Sequence, residues 1–200
     1  VIKLKNNIKK NLIFKSELII VRRIRFEELS KYKYIASNIL VSEFKKHNNK
    51  KRLYLCIGTP RVVWDSFGPM VGSLLKSNMH NDNYKVLGTV EEPVSAQNIL
   101  EVLKGVNLDE YMIVSIDASV GVFNAGDILI KDGGLKPGLA LDKDLGSFGD
   151  LSILGYITGI NARAKDSYKE IIKKQSVFVA QAIIEAEEHI KKSGGMEIEI

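Results

Sequence analysis

Leu53-Tyr54-Leu55-Cys56-Ile57-Gly58 is a short, continuous apolar run closed by a glycine. A second run of the same kind, Tyr111-Met112-Ile113-Val114-Ser115-Ile116, ends at Asp117. Runs of this length, bounded by turn residues and without polar alternation, suit strands buried on both faces of a parallel sheet. Between them, Lys85–Val90 reads as a further strand, ended by Glu91-Glu92-Pro93. Ser66–Lys76 reads as a helix starting just after Asp65, and Ala96, Ile99, Leu100 and Leu103 mark another. Strands alternating with helices predict right-handed crossovers and a mostly parallel sheet covered on both faces. The expected fold class is therefore α/β, a three-layer α/β/α sandwich.

Upstream, Leu29, Tyr32, Ile35, Ala36, Ile39, Leu40 and Phe44 follow helical spacing over Glu27–Lys46, and the polar run from His47 to Arg52 closes that helix. Residues 12–26 mix β-branched and charged residues, as in an edge strand or short hairpin. Downstream, Gly126–Lys131 is a short strand, a Gly-rich loop runs from Asp132 to Asp150, and Leu151–Thr158 is another strand. A last helix spans Asp166–Lys192, with Ile171, Ile172, Phe178, Ala182, Ile183, Ala186 and Ile190 on one stripe and Gly194-Gly195 as its stop. The expected organisation is a basic N-terminal arm or edge hairpin over 1–26, one α/β/α domain over 27–192 and a C-terminal tail over 193–200.

Composition narrows the function classes. With 45% apolar and 26% charged residues in a chain of 200, a disordered chain, a collagen-like fibre and a small disulfide scaffold are excluded. No apolar stretch is long enough to cross a bilayer, so no membrane partner is expected. The single cysteine, Cys56, excludes an internal disulfide and a Cys-rich zinc site. It sits inside the buried run, where a packed thiol is expected rather than a nucleophile. No secretory signal is visible, and a cytoplasmic location is expected. The net charge of +5 is uneven: residues 1–52 carry +11 and residues 53–200 carry −6. The basic arm 1–52 is a weak candidate for nucleic-acid contact, because no aromatic or Arg-rich recognition motif is interleaved with its lysines. A solvated extension explains the same composition.

In open α/β sheets ligands sit beyond the carboxyl ends of the strands. Acids gather in that part of the sequence: Asp65 after the first core strand, Glu91 and Glu92 after the second and Asp117 after the third. Asp132, Asp142, Asp144 and Asp150 lie in the loop after the fourth. Asp117 borders a buried run, so desolvation and a neighbouring carboxylate would separate the titrations of a pair into one acid and one base. Such a pair can activate water, or form half of a metal site. Each residue also has a structural reading: Asp65 as a helix N-cap, and Asp117 bonded to the backbone of the next loop. Gly58-Thr59-Pro60-Arg61 is neither a Walker loop nor a dinucleotide fingerprint, since Pro60 lacks an N–H that a phosphate cradle would use. His47, His80 and His189 fall away from the strand-end acids, so neither a catalytic triad nor a His-rich zinc site is readable. Arg61 and Lys143 share the acid-bearing loops, where they would orient a carbonyl or neutralise the pocket.

Nine blocks occur in a specific order over residues 53–161: Cys56-Ile57-Gly58-Thr59, Asp65-Ser66-Phe67-Gly68-Pro69, Val71-Gly72, Gly88-Thr89, Glu92-Pro93-Val94, Ile116-Asp117-Ala118, Lys136-Pro137-Gly138, Lys143-Asp144-Leu145 and Gly149-Asp150. Together they resemble the sporulation protein family typified by YyaC. That family is similar in fold to the spore germination protease and, more distantly, to the hydrogenase-maturation endopeptidases. The resemblance implies a phosphorylase/hydrolase-like α/β/α core and a sporulation-associated peptidase, located in the cytoplasm or forespore, acting on a peptide or spore protein. It places the protease's two important aspartates at Asp65 and Asp117. A later family segment resembles Asp132-Gly133-Gly134 and Pro137-Gly138, with a basic residue near Lys143; Arg61, Lys143 and Asp132 are expected to contact substrate or the oxyanion, and Thr59, Trp64 and Glu92 to line the pocket. The endopeptidases hold metal through acids and a histidine. No histidine here matches, so neither a metal nor another cofactor is expected. The chain departs from the family pattern at Pro60, Val62-Val63-Trp64, Ser95, Ser119 and Leu139-Ala140. These changes favour the alternative of a catalytically inactive sporulation protein using the scaffold as a binding or assembly module.

Overall fold

The computed structural model describes residues 21–25, 28–121, 123–137, 146–157 and 165–194. Among the described residues six strands form one sheet: β1 (Val21–Ile24), β2 (Lys51–Cys56), β3 (Tyr84–Leu87), β4 (Tyr111–Ser119), β5 (Ile128–Asp132) and β6 (Leu151–Tyr156), in the order β1-β5-β6-β4-β2-β3. The β3–β2, β2–β4 and β4–β6 pairs are parallel, while β5 runs antiparallel to both β6 and β1. Helices α1 (Leu29–Lys46), α2 (Phe67–Asn78) and α4 (Lys165–Gly194) cover one face, and the short α3 (Ile99–Leu103) lies on the other. The molecule is the expected three-layer α/β sandwich with a mostly parallel sheet.

Alternation along the strands builds two cores. Tyr54 and Cys56 of β2, with Met112, Val114 and Ile116 of β4, pack against Phe44, Phe67, Val71 and Ile183 of the three long helices. Leu53, Leu55 and Ile57 point the other way, towards Ile99 and Leu103 of α3 and Leu135. The second layer is thin, so Leu87, Ile113 and Leu154 on that face stay only partly buried.

Several elements differ from the sequence reading. β3 ends at Leu87 rather than Val90, because Gly88 turns the chain into the left-handed region at φ +90°. β4 continues past Ile116 to Ser119, since its outer residues still find ladder partners in β6, and Asp117 therefore lies within a strand. β1 is an edge strand, one of the two readings of residues 12–26, and its partner is β5; the antiparallel direction of β5 was not legible. Ile35 and Leu100 fit their helical stripes by spacing yet stand exposed, at 46% and 55%. Among the described residues, no helix is long and apolar enough to cross a membrane.

At the lower end of the sheet, Arg52 donates to both oxygens of Glu187 on α4 (2.7 and 2.5 Å), and the Tyr54 hydroxyl donates to the same carboxylate (2.5 Å). All three are buried, and together they pin the long helix to the central strand.

Candidate active site

The parallel strands β2 and β4 deliver Asp65 and Asp117 to one rim. Beyond Cys56 the chain stays fastened to both neighbours: Ile57 donates to the Ile116 carbonyl (2.7 Å), and Gly58 donates to that of Val94 (2.8 Å). Gly58 then turns at φ +137°, where a Cβ would stand 2.1 Å from the Asp65 carbonyl oxygen. The loop returns through a single 3-10 turn, Val63–Asp65, into α2. Gly68, in the first turn of α2, lies against the strand ends, where an added Cβ would be 2.1 Å from the Ile57 carbonyl and 2.8 Å from that of Ile116. The helix start is thereby pressed onto the two strands that carry the pair.

The Thr59 N–H is shared between the Asp65 carbonyl (3.0 Å) and Asp65 Oδ2 (2.9 Å). Asp65 is not the N-cap of α2. Ser66 holds that position, and its hydroxyl donates to the Val63 carbonyl (2.7 Å) rather than accepting from the helix. Burial raises the Asp65 carboxyl above its ordinary range, and the bond from Thr59 partly opposes this. Asp117 sits opposite Leu154 of β6, in the register position beside Ile57. Burial first, and the charge of Asp65 second, push its carboxyl well above the usual range, against the Ala118 N–H. The arrangement thus pairs a carboxyl anchored by a backbone N–H with one that holds its proton more tightly, the asymmetry that general acid–base chemistry uses.

The other sequence-derived candidates divide. Thr59 meets Asp65 directly, and Arg61 is exposed on the same loop, its N–H reaching Thr59 Oγ1 at 3.4 Å. Trp64, 39% exposed, occupies the 3-10 turn next to Asp65. Glu92 lies after β3, ion-paired with Lys76 at 2.8 Å, and lines a groove there rather than touching the pair. Asp132 is not brought to the site. Its strand is antiparallel, so it ends at the opposite side of the sheet: Asp132 pairs with Leu151, whereas Asp117 pairs with Leu154. Three residues of strand put it about 10 Å down the sheet, and it is two strands across. Asp150 is at that end as well, its Oδ2 accepting from the Ile113 N–H (2.7 Å). Lys143, Asp142 and Asp144 lie outside the described residues.

Among the described residues, no three His, Cys, Asp or Glu side chains gather closely enough to hold a metal ion. Burial pushes the Cys56 thiol far up, which suits packing rather than nucleophilic attack. Two features escaped the sequence reading. The Thr59 amide left no side-chain signature. The Arg52–Tyr54–Glu187 cluster did leave one: a glutamate one turn after Ile183 on an apolar stripe, and an arginine opening a buried strand.

The chain is 38% identical over 122 residues to the uncharacterized protein YyaC of Bacillus subtilis (strain 168). The match covers 60% of this chain and 59% of that protein, so less than two thirds of the relative's length is represented. A family model described as "Protein of unknown function (DUF1256)" matches residues 23–185, most of the chain and every strand and helix that builds the aspartate rim. The chain belongs to this DUF1256 family, of the YyaC type.

Proposed function

We propose that this protein is a peptide hydrolase in which Asp65 and Asp117 activate water. The observation that carries this reading is the inequality of the two carboxyls on one rim: Asp65 is anchored by the Thr59 N–H, and desolvation and the charge of Asp65 raise Asp117 well above the ordinary carboxyl range. Asp65 would accept a proton from water as that water adds to the peptide carbonyl carbon. Asp117 would donate its proton to the departing amine nitrogen. Arg61, on the adjoining loop, would offset charge on the carbonyl oxygen. A sporulation-associated peptide or spore protein, met in the cytoplasm or forespore, is the substrate class that the family resemblance suggests.

The test is hydrolysis of an unstructured labelled polypeptide by the wild type, Asp65→Asn and Asp117→Asn. Turnover by the wild type and its loss in both variants supports the pair, while turnover that survives in both removes it from the mechanism. A second reading, a binding module without turnover, is favoured by one observation: a groove lies at β3, and neither aspartate lines it. Wild-type binding without any cleavage would favour it.

A further inference from the structure

We propose that the open edge of β3 is a docking site for an extended polypeptide, which adds to the sheet as a seventh strand. The occupant rests on the peptide-hydrolase reading above; the groove itself does not.

Among the described residues β3 closes one side of the sheet, and β2 is the one strand paired with it. Arg52 donates to the Asn83 carbonyl (3.0 Å), which fixes the phase of this parallel ladder. Residues 83, 85 and 87 then face β2, and the N–H and C=O groups of Tyr84 and Val86 point away from the sheet. Such a row of donors and acceptors is matched by another extended backbone.

A groove of about 520 Å³ runs along this edge, lined by Val86, Leu87, Thr89, Val94, Asn98 and Val102 among others. Leu87, Val94 and Val102 belong to the α3-side cluster while Val86 packs its side chain on the long-helix face, so the groove lies on the α3 side and borders β3 there. Its apolar wall is suited to a side chain of the added strand, and Asn98 and Thr89 give it a polar margin. Val90 and Leu100, exposed at 40% and 55%, stand on the same segment.

The groove is continuous with the aspartate rim. Val94, one of its walls, bridges to Ile57 and accepts from Gly58, and the next residue, Thr59, holds Asp65. A chain running along β3 would leave the sheet at the end where the pair lies. Crossing from the added strand to the β2–β4 boundary is about 12 Å, or roughly four extended residues. The edge would hold a substrate segment a few residues from the bond to be cut.

The experiment measures binding of fluorescein-labelled β-casein, an unstructured polypeptide, to the full chain by anisotropy. Two variants perturb the edge. Val86→Pro deletes one outward N–H without touching the β2 ladder, a position where an edge strand accepts proline. Val102→Trp fills the groove, and it decides the matter if Val86→Pro fails to fold. The expected result is saturable binding by the wild type and by Asp117→Asn, weakened about tenfold in either edge variant. Binding that persists where no cleavage is found would sink the hydrolase reading and leave the groove standing. Unchanged affinity in the folded edge variants would overturn the proposal, as would no saturable wild-type binding up to about 100 μM. A dimer that Val86→Pro converts to a monomer would overturn it too, by giving the edge to a second copy of the chain.

Discussion

Asp117→Asn should make the protein more stable above mildly acid pH, although the residue is central to the proposed chemistry. In the unfolded chain this carboxyl ionises in the ordinary aspartate range. In the folded protein, burial and the charge of Asp65 hold the proton on well above that range. The folded state therefore binds more protons than the unfolded one, and wild-type stability falls as pH rises from the unfolded pKa to the folded one. Each pH unit inside that window costs the wild type about 1.4 kcal/mol relative to a side chain that does not titrate. Asparagine keeps the shape and removes the cost. For a domain of this size, about 1.4 kcal/mol corresponds to a melting shift of roughly 3–6 °C. Thermal melts of both proteins across pH 3.5 to 8 should diverge steadily, with the variant on top at high pH and the two curves nearly meeting at the acid end. Parallel curves, or a variant less stable by the same margin at every pH, would refute an Asp117 carboxyl raised well above its ordinary range.

Three further outcomes follow from the packing. Glu187→Ala strands the buried Arg52 charge and the Tyr54 hydroxyl, and should cost about 3–5 kcal/mol in urea or thermal unfolding; Glu187→Gln should cost less, and equal losses would argue against the ion pair. Gly68→Ala places a methyl 2.1 Å from the Ile57 carbonyl, so α2 must lift from the strand ends. About 1–3 kcal/mol of stability should be lost, together with any Asp65-dependent activity, and a silent substitution would contradict the close approach. Cys56 should resist a thiol reagent such as DTNB until the protein unfolds, and rapid labelling of the native protein would show that β2 is not buried as described.

The fold was legible where burial is two-sided. Leu53–Ile57 carries no polar interruption and Tyr111–Ile116 only Ser115, and such near-continuous apolar runs are the direct imprint of a central parallel strand. The antiparallel edge was not legible, because Ile128–Asp132 has the same local composition whichever way it runs, and direction is set by distant partners. This hid the fact that Asp132 and Asp150 lie at the far end from Asp65 and Asp117. The pair itself was visible as two acids bordering apolar runs. The amide that anchors Asp65 was not, since backbone donors have no sequence identity. Ile35 and Leu100 match helical spacing equally well, but their helices are covered on one side only, and packing rather than periodicity left them outside.

The most direct measurement is a titration of the Asp65 and Asp117 carboxyl carbons by NMR, in the wild type and in each single asparagine variant. The expected result is two separated steps, with Asp65 ionising first and Asp117 holding its proton well above the ordinary range. In Asp65→Asn the Asp117 step should move down, because one of the two causes of its elevation has been removed. Two carboxyls titrating independently in the ordinary aspartate range, unmoved by substitution of the partner, would contradict a coupled acid–base pair on the β2–β4 rim.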